Sequence, residues 1–184
     1  MALPLMASKE PSSPLLSPAR IAGLRVDPRK RWLFDYAPPL LLMGAIFVAS
    51  TDAGSSQHSG RILRHLLAWL GLARHLSAAQ LEGVNYFVRK AGHLTEYALL
   101  GGLLHRALAS AHRTAGTWRA RWAPRLVLPV LALVALYAAS DELHQRFVAN
   151  RTSSMGDVML DTAGGALGLG IKWGWEQWRR RSSG

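Results

Sequence analysis

The chain contains no cysteine. Disulfides, thiolate nucleophiles and cysteine-based zinc sites are therefore excluded. Charge is scarce as well, at 18% of residues against roughly 25% in soluble domains. Acidic residues are the scarcer kind: 11 Asp and Glu stand against 22 Lys and Arg, giving a net charge of +11. No nucleic-acid motif or aromatic-interleaved basic face accompanies that excess, so a nucleic-acid partner is not expected. The basic residues lie mostly outside the apolar runs, as they do in the cytoplasmic flanks of membrane helices. Met1 to Met6 is too short for a signal-peptide core.

What the chain has is apolar sequence, 49% of its 184 residues, gathered into runs rather than scattered. The length suits one domain. Residues 1–31 read as a proline-rich, flexible basic leader ending in Arg29-Lys30-Arg31. Residues 32–178 read as a membrane domain, and 179–184 as a basic tail. The expected fold is an all-α integral membrane protein with about four transmembrane helices plus one amphipathic interfacial helix. The spans are expected at about Leu33 to Ser50, Lys90 to Ala111, Leu126 to Gln145 and Gly156 to Trp175. Pro38 and Pro39 fall near the start of the first, where proline is best tolerated. Between spans one and two, Gly60 to Arg74 puts Ile62, Leu63, Leu66, Leu70 and Ala73 on one helical face. Arg61, Arg64 and His65 fall on the other, a pattern suited to the membrane interface or to covering a site. Trp118 and Trp122, and later Trp173, Trp175 and Trp178, are expected interface anchors.

Ionisable residues interrupt this pattern in three places, where charge is costly unless paired, hydrated or used. Asp141-Glu142-Leu143-His144-Gln145 closes the third apolar run. At helical spacing Asp141, His144 and Gln145 share a face, with Glu142 beside it. In the second span Lys90, His93 and Tyr97 share a face, with Glu96 at its edge. Arg151 precedes Asp157 and Asp161 at the start of the fourth span. Those two acids align with Gly164 and Gly168, and glycines four apart let another helix approach closely. A second copy of the chain or another membrane protein could use such a stripe. With four spans, Lys and Arg are about twice as many on the side holding both termini, which makes that side cytoplasmic. All three clusters then lie at the outer side of the membrane.

Three chemistries suit these residues. In the first, His144 or His93 is a general base held by Asp141 or Glu142. In the second, His93, His144, Glu142 and Asp157 supply ligand types for zinc or a related ion, although no H-x-x-x-H or H-E-x-x-H spacing is present. In the third, Lys90 or Arg151 pairs with Asp141, Glu142 or Asp157 and fixes helix register. The helix dipole alone would also favour Asp157 and Asp161 near a helix start. Ser140, Ser153 and Ser154 lack a nucleophile elbow. His105 and Arg106 read as interface residues at the far end, and His58, His65 and His75 as solvent-exposed. No cofactor is assigned.

Together, Lys90-x-x-His93-x-x-Glu96-Tyr97, Asp141-Glu142-x-His144-Gln145-x-Phe147 and Arg151-x5-Asp157-x3-Asp161 with Gly164 and Gly168 resemble the VanZ-like family. Phe47-x-x-Ser50 resembles that family's motif at the end of its first span. The resemblance runs from about residue 33 to 172. It departs at Val148-Ala149-Asn150-Arg151, where the family often has Val-Pro-Gly-Arg; Asn also tolerates a turn. The resemblance implies a multi-span protein of the bacterial cytoplasmic membrane, with a link to teicoplanin tolerance at the cell envelope. Its implied partners are the lipid bilayer and a glycopeptide or a lipid-linked envelope precursor. It carries no mechanism. Binding or lipid modification at the outer site, a hydrolase or transferase acting on a lipid-linked substrate, and a structural assembly subunit all remain open.

Overall fold

The structure is a computed structural model that describes residues 32–51, 56–114, 123–148 and 153–182. All secondary structure among the described residues is helical. A turn of π-helix, Trp32–Tyr36, leads into α1, Ala37–Ala49. Pro38 and Pro39 occupy its first turn, where the missing N–H groups would have no intrahelical partner anyway. The amphipathic α2 is Ser56–Trp69, α3 is Ala78–Thr114, α4 is Val127–Gln145 and α5 is Met155–Arg181. Short 3-10 turns at Ala73–His75 and Pro124–Leu126 precede α3 and α4.

Two boundaries differ from the sequence expectation. The amphipathic helix stops at Trp69 rather than Arg74. Gly71 takes a φ of +73°, and the N–H groups of Leu72 and Gly71 return to the carbonyls of Leu67 and Ala68 at 2.8 and 3.0 Å. This paired closure is the Schellman stop, and it needs a left-handed residue that glycine supplies at no steric cost. The second difference is that α3 begins well before Lys90. Ser77 Oγ accepts from Gln80 N at 3.2 Å while Ser77 N donates to Gln80 Oε1 at 2.8 Å. That reciprocal capping box opens the helix at Ala78.

Close packing of α3 on α5 organises the bundle. A Cβ on Gly164 would lie 2.7 Å from the Leu94 carbonyl oxygen, and one on Gly168 would overlap that of Ala98. On α3, Gly101 has the reciprocal relation to the Gly165 backbone, 2.6 Å from its carbonyl oxygen. The glycine stripe is thus filled by α3 of the same chain. Helix α4 lays Val134 against Gly165 from the other side. Its buried positions, Val130, Val134, Ala138, Asp141 and Gln145, form one stripe at three- and four-residue spacing. That stripe is apolar for most of its length and polar in its last turn. Ile46 of α1, Tyr97 and Leu100 of α3, and Leu169 of α5 complete the core.

Among the described residues one helix, Pro124–Gln145, is long and apolar enough to cross a membrane; Leu33–Ala49 is apolar but shorter. Helices α3 and α5 fall short of that test because Lys90, His93, Glu96, His105 and Arg106 interrupt one and Asp157, Asp161 and Lys172 the other.

Candidate functional site

Four helices meet at one end of the bundle: the last turn of α1, the Lys90–Tyr97 stretch of α3, the last turn of α4 and the first two turns of α5. The amphipathic α2 lies against α3 at the same end, with Gly60 packed on Asn85. Antiparallel order along the chain produces this meeting, so residues 89 and 161 become neighbours of residues 50 and 141.

The pairs formed there follow from helix spacing. Lys90 Nζ is ion-paired with Asp157 Oδ1 and lies 5.4 Å from the centroid of the Tyr86 ring. One turn deeper, His93 Nδ1 faces Asp161 Oδ1 at 3.6 Å, a charge-pair separation longer than a hydrogen bond. The steps 90 to 93 and 157 to 161 are each one helical turn, so the two pairs stack. Ser154 caps α5 by accepting from Gly156 N at 3.1 Å, which places Asp157 in the first turn, where the dipole favours it. Asp161 lies a turn beyond the dipole's reach and is fully buried. Its burial is bound up with His93 rather than with the helix end.

From α4, Asp141 is 2% exposed and Glu142 4%. Asp141 Oδ2 accepts from Gln145 Nε2 at 3.0 Å. Glu142 Oε2 accepts from Ser154 N at 2.8 Å, tying the end of α4 to the start of α5. The other oxygens, Asp141 Oδ1, Glu142 Oε1 and both of Asp161, have no hydrogen-bond donor among the described residues. The hydroxyl of Tyr97, itself fully buried, has no partner among them either. Native interiors satisfy most such groups, and an unsatisfied cluster calls for a specific explanation. Three buried acids and one histidine thus carry more acceptor oxygens than the described residues supply with donors.

The structure joins His93, Lys90, Tyr97, Asp141, Glu142, Gln145, Asp157 and Asp161 in this way. Glu96 reaches the edge, lining a small pocket of about 150 Å³ with Ile46, Ser50, Arg89 and His93. His144 is placed differently. Its ring packs on Phe47 of α1 with centroids 4.5 Å apart, and no ion pair joins it to a carboxylate among the described residues. The histidine set beside an acid is His93, and the acid is Asp161. Arg151 lies outside the described residues, as do Trp118, Trp122 and the side chain of His58. Among the described residues no three His, Asp or Glu side chains gather as metal ligands.

The serines have structural employment. Ser140 Oγ donates to Tyr137 O at 2.7 Å, Ser153 Oγ accepts from Arg146 Nε at 3.3 Å, and Ser154 is the α5 cap. The sequence motifs leave out one contributor and one contact. Tyr137, one turn before Asp141, donates to Met43 O at 2.5 Å and stands 6.2 Å from the Tyr97 ring. Phe47 supports His144. The i, i+4 step from Tyr137 to Asp141 was the available signal for the first. Phe47 is itself part of the Phe47-x-x-Ser50 motif, but nothing local marks its contact with His144.

A family model described as VanZ/LLP1 matches residues 37–175, most of the chain and every element of this site. No curated protein and no solved structure matches it.

Proposed function

Because the chain belongs to the VanZ/LLP1 family, we propose that it is a bacterial membrane protein that lowers susceptibility to teicoplanin-type glycopeptides. Its polar bundle end binds or alters the drug or a lipid-linked envelope component. In this reading α1, α3, α4 and α5 span the cytoplasmic membrane, both termini are cytoplasmic, and the polar end opens outward.

The exterior supports a membrane setting. Leu41, Leu99, Leu128, Leu136 and Ile171 are 72, 56, 76, 68 and 62% exposed, a girdle that water would penalise. Of the charges that lower the apolarity of α3 and α5, Lys90 and His93 turn to Asp157 and Asp161 across the two helices, as ionisable residues inside membranes do. Lengths agree as well. The 19 residues of α4 span about 29 Å, close to the roughly 30 Å of a hydrocarbon core. The 37 residues of α3 reach about 55 Å, so its first turns stand clear of that core, beside α2. Basic residues favour the termini as the inner side.

The observation that carries the function is the buried acid set, Asp141, Glu142 and Asp161, with carboxylate oxygens that no described residue serves. Burying such groups is costly, and an external ligand would offset that cost. A second reading is favoured by the His93–Asp161 pair: a membrane hydrolase or transferase in which His93 is the base and Asp161 orients it.

Mass spectrometry of envelope lipids and lipid-linked precursors tests both. Cells expressing the wild-type chain are compared with cells expressing Asp141→Asn at equal protein levels. A covalent difference that follows the wild type assigns the enzyme reading. Identical lipids with drug susceptibility still dependent on Asp141 assign binding. No dependence of either on Asp141 removes the site from consideration. Orientation is checked separately, because the cysteine-free chain accepts single cysteines at Ser153 and Ser182. An impermeant reagent on intact spheroplasts is expected to label the first and spare the second; the reverse would overturn the topology.

A further inference from the structure

The start of α3 and the polar side of α2 enclose an open cleft of about 660 Å³ at the same end as the polar cluster. Arg61 and Arg64 line it from α2, and Tyr86 and Arg89 from α3; Glu82 is the one acid. Arg89 also lines the small pocket that holds His93 and Glu96, so the cleft adjoins the polar cluster.

Helix α2 presents an apolar outer side. Ile62, Leu66 and Trp69 are 71, 51 and 82% exposed, while Leu63 and Leu67 are half-buried and Arg61 and Arg64, exposed themselves, edge the cleft. A helix with an apolar outer side and guanidinium groups at the edge of an open cleft suits a bilayer surface, where the apolar side dips among acyl chains. The cleft then lies at headgroup depth. Its lining is three guanidinium groups against one carboxylate. Guanidinium forks match phosphate oxygens with paired donors, and the volume lies in the usual range for a small-molecule pocket of about 300–1,000 Å³.

We propose that this cleft binds the anionic, phosphate-bearing headgroup of a membrane lipid, with Arg61, Arg64 and Arg89 as phosphate ligands. The lipid's acyl chains run beside Ile62 and Leu66. The assignment rests on the membrane placement above but not on the chemistry of the polar cluster, and a variant such as Asp141→Asn leaves it intact.

The test is lipid titration of the purified full chain in detergent micelles, followed by native mass spectrometry. The probes are phosphatidylglycerol, phosphatidylcholine and inorganic phosphate. Phosphatidylglycerol is expected to bind saturably, and the other two not to bind over the same range. Arg61→Gln and Arg64→Gln should each weaken phosphatidylglycerol by about fivefold, the scale of one basic residue at a charged membrane surface. Glu82→Gln should tighten it, a change of opposite sign that misfolding does not mimic. Asp141→Asn should bind as the wild type does. Wild-type affinity in the arginine variants and Glu82→Gln, or equal binding of phosphatidylcholine, would overturn the site. Equal binding of inorganic phosphate would overturn its assignment to a lipid.

Discussion

At the end of the bundle where α1 begins, Asp35 accepts from Ser110 Oγ at 2.5 Å and faces Arg106 Nε at 3.7 Å. Arg106 also donates to the Phe34 carbonyl oxygen. His105, fully buried, has its Nε2 3.2 Å from the Ala123 carbonyl oxygen, and Lys172 holds Glu176 at 2.5 Å. At the other end Asp161 is equally buried, yet neither of its oxygens receives a hydrogen bond from a described residue. Both ends place ionisable groups inside a helical bundle. The first gives each of its carboxylates a donor or a cation from the described chain, although Arg106 Nε itself makes no hydrogen bond there. The second has more acceptors than the described chain supplies with donors. Native folds satisfy most buried polar groups, and the surplus of acceptors at the second is the feature on which the proposed ligand site rests.

Variants should widen or collapse that contrast. The largest effect belongs to neither end but to the joint between them. Gly168→Leu puts a side chain where the Ala98 backbone already lies, and folded protein should be lost outright in fluorescence-detected size exclusion. Gly170→Ala, with no atom within 4 Å of its Cβ, should hold or raise the melting point, since Ala in a helix is favoured over Gly by up to about 1 kcal/mol. A loss of fold in Gly170→Ala would refute the assigned face. Next comes Asp157→Asn, which breaks the half-buried pair with Lys90. A destabilisation of about 1 kcal/mol is expected, the upper range for a partly exposed pair, with a lower melting temperature as its measure. Smallest is Lys172→Gln, which removes an i, i+4 pair worth about 0.3–0.5 kcal/mol and should scarcely move the melt.

The polar end was legible in the sequence because charge at the end of an apolar run is conspicuous. Asp141, His93 and Asp161 were read from spacing alone, and antiparallel order brought them together. The family was legible from the ordered motifs. The register of pairing was not. His144 shares a helix with Asp141, but its neighbour is Phe47, a contact between segments almost a hundred residues apart that periodicity does not encode. The start of α3 was encoded, in Ser77-Ala78-Ala79-Gln80, but apolarity drew attention to Lys90 and beyond. The glycine stripe advertised a close partner without naming it; the partner is α3 of the same chain, through Leu94, Ala98 and Gly101. The inward-turned charges of α3 and α5 also explain why those helices look less apolar than α4. Composition averages over a helix, whereas a bilayer would meet only its outer face.

The most direct test of the central claim is teicoplanin susceptibility in cells expressing the wild-type chain, Asp141→Asn or Lys172→Gln, matched for folded membrane protein. Lys172→Gln is expected to protect as the wild type does, while Asp141→Asn, though present in equal amount, protects no better than an empty vector. Full protection by Asp141→Asn would contradict that claim, and would return the buried acids of the polar end to the same structural standing as Asp35 and Glu176.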